Sequence, residues 1–108
     1  IYYLLKVLDR GAFIGMDRYG SNRVMGAERR NATVIELVKR GFADQMFLSQ
    51  DYCCTIDWFT HEYMQKIYPK WSMTYILDEI IPELKKEGVS DEHIHTMMVE
   101  NPKRWFDR

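Results

Sequence analysis

Asp51 is the residue of this chain that its position most clearly marks for chemistry. It follows the apolar run QMFLSQ (45–50), which is typical of a buried strand. A carboxylate at the end of such a strand can ligate a divalent metal ion or take a proton from a bound water molecule. The alternative is an ordinary turn or capping aspartate, and position alone leaves both interpretations open.

Asp17 and Arg18 end an earlier apolar run, AFIGMD (12–17), in the same way. The two side chains could hold a substrate oxygen or support metal ligands through hydrogen bonds. A salt bridge at the rim of a barrel explains the same pair equally well.

The segment DYCCTIDWF (51–59) places Tyr52, two cysteines and Trp58 in one loop. Aromatic residues in a long loop suit an apolar pocket or an oligomer contact. Adjacent cysteines can bind soft metal ions, but a four-ligand zinc site needs more Cys or His than the single histidine nearby. We therefore predict that Cys53 and Cys54 are small residues that line a pocket.

His93 and His95 form an H-x-H pair in EHIHT. Positions two apart on a helix point in different directions, so we predict surface residues and not a shared metal site. The sequence contains no glycine-rich phosphate loop, no G-x-S-x-G elbow and no H-E-x-x-H motif.

The composition limits the class of protein. The chain has 108 residues, 46% of them hydrophobic and 29% charged, which fits one globular domain or part of a larger one. A net charge of -1 argues against a nucleic-acid partner, and no apolar run reaches the roughly 18 residues of a membrane span. Adjacent cysteines rarely form a disulfide, so we predict a reducing, cytoplasmic location.

Helical and strand-like segments alternate through the first half of the chain. Helical spacing of apolar residues predicts helices over 1–10 and 27–40, each ended by a glycine. Apolar runs predict buried strands over 12–17 and 45–50, and the glycine-containing stretch 18–26 predicts a loop.

In the second half of the chain we expect an irregular stretch followed by helices. We predict an irregular stretch over 51–71 and a helix over 72–87, with a kink or a break at Pro82. Ser90 is a suitable N-cap for a short helix that ends near Glu100. An Asn-Pro pair then introduces a last turn.

Alternating strands and helices favour parallel βαβ units. Short links from helix to strand and long links from strand to helix fit a (β/α)₈ barrel, although a doubly wound sheet shares this asymmetry. A complete barrel needs about 250 residues. We therefore expect residues 1–108 to be the C-terminal third of one domain, and the uncapped helix at Ile1 also predicts a chain cut upstream.

Four stretches resemble one known family: FIGMDRYG, FLSQDYCCTIDW, IIPELKKEGVSDEHI and MVENPKRWF. They are similar, in order and in spacing, to the C-terminal part of the phosphotriesterase family, and more closely to its phosphotriesterase-like lactonase branch within the amidohydrolase superfamily. The resemblance covers essentially the whole chain. It implies an α/β fold: about strands 7 and 8, with their helices, of a TIM (β/α)₈ barrel of a metal-dependent hydrolase.

The resemblance also implies a reaction. Family members hydrolyse lactones, including acyl-homoserine lactones, and often organophosphate triesters. A hydroxide that bridges two divalent metal ions (Zn, Co, Mn or Fe) attacks the substrate. An H-x-H pair, a carboxylated lysine and two histidines would complete the metal site from sequence upstream.

Individual residues acquire roles by the same resemblance. Asp51 matches the aspartate of strand eight, which ligates one metal ion and accepts the proton of the attacking water. Arg18 matches a residue beside the active site after strand seven, and Asp17 is its neighbour. Gln50 departs from the His or Asn of many relatives, a change expected to alter hydrogen bonding around Asp51.

Tyr52, Cys53 and Trp58 match the start of loop eight, which lines the substrate channel. The position of Trp58 also lies near a homodimer contact in lactonase members. We expect the 108-residue chain alone to be inactive and poorly stable. The alternative is a non-catalytic α/β fragment or an oligomerisation module that uses the Trp58 loop.

Overall fold

The computed structural model describes residues 1–23 and 25–107. Val24, inside the predicted loop 18–26, and Arg108 lie outside the described residues. The elements, in chain order, are α1 (Tyr2–Leu8), β1 (Ile14–Met16), α2 (Ala27–Lys39), a 3₁₀ turn (Ala43–Gln45), β2 (Met46–Leu48), α3 (His61–Ile67), a π-helical turn (Ile76–Ile80), α4 (Ile81–Lys86), α5 (Asp91–His95), a second π-helical turn (Thr96–Glu100) and α6 (Asn101–Phe106).

The strands β1 and β2 form a parallel pair in which Gly15 lies opposite Phe47. Helix α2 connects them, so the predicted parallel βαβ unit is confirmed. Both strands are shorter than the apolar runs that predicted them. The predicted glycine stops after α1 and α2 are also found, since Gly11 and Gly41 have positive φ angles of 77° and 89°.

The main core lies between the helices and one face of the strand pair. Alternate residues of the strands point to this face. Met46 and Leu48 of β2 are buried, whereas Phe47 between them is only half-buried. The same cluster takes in one face of α2 and the apolar residues of the later helices. Its fully buried side chains are Leu8, Tyr19, Val34, Leu37, Met46, Ile80, Leu84 and Met97.

The last helix closes one end of the strand pair. The Asn101 side chain donates to the carbonyl oxygens of Ala43 and Met46 at 2.8 and 2.7 Å. On the opposite face of the strands, Phe13 and Phe47 stack at 5.1 Å, and Trp105 meets both rings edge-on at 5.7 and 6.0 Å. These contacts cover the end where β2 begins and leave the other end open.

Helix α3 corrects the sequence analysis, which predicted an irregular stretch over 51–71. The Thr60 hydroxyl accepts a hydrogen bond from the Tyr63 amide and caps the helix. Met64 is the only buried residue of α3. The apolar periodicity that reveals a helix is therefore nearly absent here, and the cap was the available signal.

Two of the three prolines in the C-terminal half, Pro82 and Pro102, are accommodated inside helical backbone. The kink or break predicted at Pro82 takes the form of the π-helical turn Ile76–Ile80. The helix predicted to end near Glu100 instead runs through a second such turn into α6, which contains Pro102. A proline lacks the N–H and crowds the carbonyl four residues back, and a widened turn before it relieves both problems.

Ser90 caps α5 as predicted, because its hydroxyl accepts from the His93 amide at 3.2 Å. Within the described part of the chain, no helix has the length and apolar character that crossing a membrane requires.

Candidate functional site

The open end of the strand pair brings Arg18 and Asp51 together. Pairing continues one step past the strands: the Ser49 amide donates to the Met16 carbonyl at 3.1 Å, and the Tyr19 amide donates to the Ser49 carbonyl at 3.3 Å. The backbone turns at this edge of the sheet after each of the two strands. Asp51 and Arg18 are the residues at those two turns.

Both turn residues have left-handed backbone, with φ of 59° at Arg18 and 54° at Asp51. For a residue other than glycine this conformation costs about 1–2 kcal/mol, and aspartate tolerates it better than arginine. Residues held in such conformations cluster at functional sites. The side chains remain accessible, with exposed fractions of 63% for Arg18 and 62% for Asp51.

The two side chains form a loose ion pair. The Arg18 Nε atom lies 3.8 Å from Asp51 Oδ2, which is too long for a hydrogen bond. An exposed pair of this kind contributes less than about 1 kcal/mol to stability. The Asp51 carboxylate accepts no hydrogen bond from any described residue, so its oxygen atoms are available to another ligand.

A metal site cannot be completed from the residues that the structure describes, because no group of three or more His, Cys, Asp or Glu side chains comes together there. Asp51 nevertheless fits the part of one ligand. It is an accessible carboxylate with free oxygen atoms at the carboxyl end of a parallel strand. The remaining donors would have to come from outside these residues.

Asp17 lies next to Arg18 in sequence but is not its partner. The Asp17 backbone carbonyl accepts from Arg30 Nη1 of α2 at 2.9 Å, while its side chain is exposed. The salt bridge at the rim is therefore formed between the two turns, by Arg18 and Asp51, and not within the Asp17–Arg18 pair.

Trp71 is a contributor to this end of the sheet that sequence reasoning missed. Its indole Nε1 donates to the Gln50 carbonyl at 2.7 Å, and the Gln50 side chain donates to the Met73 carbonyl at 2.7 Å. Both hydrogen bonds join residues more than 20 positions apart, so no local pattern reports them. The Gln50 amide group is thus directed at Met73.

An aromatic cluster surrounds the Trp71 indole. The rings of Tyr52 and Tyr68 meet it edge-on at 5.3 and 5.4 Å. Gly20 approaches the same ring so closely that an added Cβ would overlap the Trp71 Cδ1 atom and lie 3.0 Å from Cγ. Tyr52 and Trp71 also border a cavity of about 240 Å³ beside α3.

The other loop residues singled out in the sequence spread over the surface. Cys53 is half-buried and Cys54 exposed, and both are free thiols. Trp58 is 80% exposed, and Phe59 stacks on Tyr63 of α3 at 5.2 Å. Neither Cys53 nor Trp58 borders the cavity beside Tyr52.

The two histidines of the H-x-H pair have separate partners. His93 Nδ1 lies 3.0 Å from the Ser90 hydroxyl, and His95 Nε2 lies 3.1 Å from a Glu100 carboxylate oxygen. This agrees with the prediction that they are surface residues pointing in different directions.

Comparison with known proteins places this arrangement in context. The profile of the Phosphotriesterase family matches residues 1–106. The aryldialkylphosphatase of Saccharolobus solfataricus is 47% identical over an alignment of 108 positions that covers 98% of this chain and 34% of that protein. The phosphotriesterase homology protein of Mycobacterium tuberculosis is 40% identical over 98% of this chain and 32% of its own length.

Solved structures show the same relationship. The phosphotriesterase of Mycobacterium tuberculosis superposes on the whole chain with a TM-score of 0.96 at 39% identity, and the chain covers 33% of it. The Escherichia coli phosphotriesterase homology protein, solved with phosphate in its active site, gives 0.77 at 29% identity, over 94% of this chain and 33% of its own. These neighbours are TIM barrels, which confirms the predicted fold, and the chain spans about a third of the length of its curated relatives.

Proposed function

Because the chain belongs to the phosphotriesterase family, we propose that the protein containing it is a metal-dependent hydrolase of lactones, including acyl-homoserine lactones, and of organophosphate triesters. The observation that carries the proposal is the accessible Asp51 carboxylate beside the Arg18 guanidinium, at the carboxyl ends of two adjacent parallel strands. This is the end of a barrel where active sites are built.

Two divalent metal ions, of Zn, Co, Mn or Fe, would supply Lewis acidity and lower the pKa of a coordinated water molecule. Asp51 would donate one ligand to this pair. The other donors would come from parts of the protein outside the described residues.

Asp51 is also the group proposed to accept the proton of the attacking water. Its carboxylate oxygens accept no hydrogen bond from the described residues, and its side chain is largely exposed. Proton transfer to a positioned carboxylate is a standard contribution to hydrolysis.

Arg18 is proposed to bind the substrate. Its guanidinium offers several N–H donors and is held loosely by Asp51, so it can turn to a carbonyl or phosphoryl oxygen. Such donors act most strongly on the charge that develops during the reaction. Asp17 is proposed to support this turn, because its backbone carbonyl accepts a hydrogen bond from Arg30 of α2.

Tyr52, Cys53 and Trp58 are proposed to line the substrate channel. Tyr52 borders the cavity beside α3, and the loop that carries all three begins directly after Asp51. One solved neighbour, with a TM-score of 0.77 at 26% identity, is described as organophosphate hydrolysis engineered from a weak promiscuous lactonase template. That description supports both substrate classes for this protein.

A second candidate role is oligomerisation. Trp58 is exposed, and so is the stacked pair of Phe59 and Tyr63 that follows it in sequence. Aromatic residues are enriched where protein surfaces associate. Such exposed aromatic residues support a homodimer of the whole protein. Dimer formation would be the main function if the chain took no part in catalysis.

The test is made on the whole protein. We expect Asp51→Asn to lower kcat about 100-fold or more and to remove about one metal ion per chain. Asp57→Asn, an exposed aspartate in the same loop, is the matched control and is expected to change neither quantity. A wild-type protein that holds two metal ions and cleaves neither an acyl-homoserine lactone nor a dialkyl aryl phosphate would refute the proposal.

A further inference from the structure

We propose that Trp71 is a positioning residue for Asp51, and that Gly20 is small so that the indole can reach its place. This inference rests on the proposed function, because it assigns Trp71 to the holding of a metal-ligating carboxylate. Trp71 does not itself contact the reacting atoms. It acts through the backbone that precedes Asp51.

The first step is the hydrogen bond from the indole to the Gln50 carbonyl, at 2.7 Å. That carbonyl belongs to the peptide group that joins Gln50 to Asp51. The φ angle of Asp51 is the rotation about its N–Cα bond, and the orientation of the preceding peptide plane defines one side of that rotation. A fixed plane therefore favours the left-handed φ of 54°.

Gln50 is held by two hydrogen bonds to one short segment. Its carbonyl receives the Trp71 N–H, and its side-chain amide donates to the Met73 carbonyl at 2.7 Å. Segment 71–73 therefore fixes both the backbone and the side chain of Gln50. Rotation of the peptide group away from its observed orientation would break the first contact and strain the second.

The third step is that the indole has little freedom of its own. Tyr52 and Tyr68 meet its ring edge-on, and the Trp71 amide donates to the Tyr68 carbonyl at 3.1 Å. A fixed donor can set the orientation of its acceptor. A donor on a mobile side chain would follow the acceptor instead.

Gly20 supplies the last step. It has a positive φ of 96°, and a Cβ at this position would overlap the Trp71 ring. Gly20 also lies two residues after Arg18, so the turn that carries Arg18 and the turn that carries Asp51 both contact the same indole. The ring therefore sets the relative placement of the two proposed functional side chains.

The consequence is a specific pattern of losses. A misplacement of about 1 Å in a catalytic group can cost about 100-fold in rate, even when the change lies away from the reacting atoms. A ligand that is no longer held in place also binds its metal more weakly. Loss of the Trp71 contact should therefore lower metal affinity and kcat, and should leave KM nearly unchanged.

Trp71→Phe in the whole protein tests this inference, because it keeps a ring and removes only the N–H donor and some bulk. We expect zinc affinity, measured by competition with a chelator, to fall about tenfold or more. We expect kcat to fall by a similar factor while KM stays within twofold. Trp105→Phe, at the other end of the strands, is the matched control, and its zinc affinity should stay within twofold even if it unfolds at a lower temperature.

Gly20→Ala tests the second half of the proposal, with Gly41→Ala as its control. Both glycines have a positive φ, but a Cβ on Gly41 would meet nothing within 4 Å, whereas one on Gly20 would displace the indole. Only Gly20→Ala should reduce zinc affinity. If Trp71→Phe fails to fold, Gln50→Met removes the side-chain hydrogen bond that also holds Gln50, and it should likewise weaken zinc binding.

The outcomes separate this inference from the proposed function. An active wild-type protein whose folded Trp71→Phe and Gly20→Ala variants keep zinc affinity and kcat within twofold overturns the positioning role and leaves the hydrolase assignment intact. A wild-type protein that binds zinc but hydrolyses neither substrate class refutes the proposed function. Loss of zinc affinity in Trp71→Phe would still support the positioning of Asp51 in that case.

Discussion

Arg18 lies two residues after β1 and Asp51 three residues after the neighbouring β2, and both adopt the left-handed backbone, with the Arg18 Nε atom 3.8 Å from Asp51 Oδ2. Neither residue is a glycine, although glycine is favoured in this conformation. Their weak exposed ion pair adds too little stability to offset the backbone cost. The pair is therefore better explained by what its side chains do than by what they contribute to folding.

Replacing Arg18 with glycine should separate stability from activity. Glycine relieves the strain of the left-handed backbone, which stabilises the folded state, but it also gives the unfolded chain more freedom, which destabilises it. Because the two effects oppose each other, the free energy of unfolding should stay the same or rise by up to about 1 kcal/mol. Hydrolysis should fall about 100-fold in kcat/KM, because a donor to the developing charge is lost. Urea unfolding and steady-state kinetics on the whole protein measure the two effects.

Arg29→Gly is the control for this substitution. Arg29 is exposed in α2, and a glycine inside a helix lowers the free energy of unfolding by about 1 kcal/mol without touching the site. The same change of residue should thus destabilise at position 29 and not at position 18. A clear loss of stability in Arg18→Gly would contradict the strain assigned to that turn.

Asn101 should prove to be among the residues most important for stability. It is fully buried and donates to the Ala43 and Met46 carbonyls at 2.8 and 2.7 Å. Asn101→Ala would leave both carbonyls without this donor and open a cavity, at a cost of about 2–4 kcal/mol in unfolding free energy. Chemical denaturation of the whole protein measures this cost, and the exposed Asn22→Ala should change stability by less than about 0.5 kcal/mol.

Zinc affinity gives a second readout for Asn101→Ala. Asn101 holds the end of β2 opposite the site, so the folded variant should retain wild-type metal binding. A fall in zinc affinity equal to that expected for Trp71→Phe would show that the two ends of the strand are not independent.

Most of the fold could be read from the sequence because it rests on local patterns. Apolar runs marked both strands, and glycine with a positive φ ended α1 and α2 where predicted. Helix α3 was missed because it buries only Met64 and presents no apolar stripe. The π-helical turns were missed because a proline in a sequence does not show how the preceding turn will widen.

The site was only partly predictable for a related reason. Asp51 and Arg18 could be selected because each directly follows an apolar run, which is a local feature. Trp71 could not be selected, since its hydrogen bond to Gln50 and its contact with Gly20 join segments far apart in the chain. Such contacts depend on packing that periodicity does not encode.

Tyr19 should make stability sensitive to alkaline pH. Its side chain is fully buried, its hydroxyl has no hydrogen-bond partner among the described residues, and burial raises its pKa well above the ordinary value. The unfolded chain loses this proton near pH 10 and the native state does not, so stability is unaffected below pH 10 and falls above it. By pH 11 the loss should reach about 1.4 kcal/mol, as judged by urea unfolding.

Tyr19→Phe should remove this part of the pH dependence. At pH 7 the substitution should change stability little, because a hydroxyl without a partner is lost and the ring stays in place. Tyr2→Phe, at a position that is 83% exposed, should retain the alkaline loss of the wild type. An unchanged slope above pH 10 in Tyr19→Phe would show that the buried hydroxyl is not its source.

The isolated 108-residue chain should be poorly stable and inactive. Its surface of 7471 Å² exceeds the roughly 6,300 Å² expected for a compact monomer of its mass, and its radius of gyration of 14.6 Å exceeds about 13 Å. Among the described residues, each strand pairs on one edge only, and unpaired edges promote association. We expect weak, broad thermal unfolding by circular dichroism, concentration-dependent association in size-exclusion chromatography, and no hydrolysis with added zinc. A monomer with a sharp transition at high temperature would contradict the expected instability, and measurable hydrolysis by it would show that Asp51 and Arg18 need no further metal ligands.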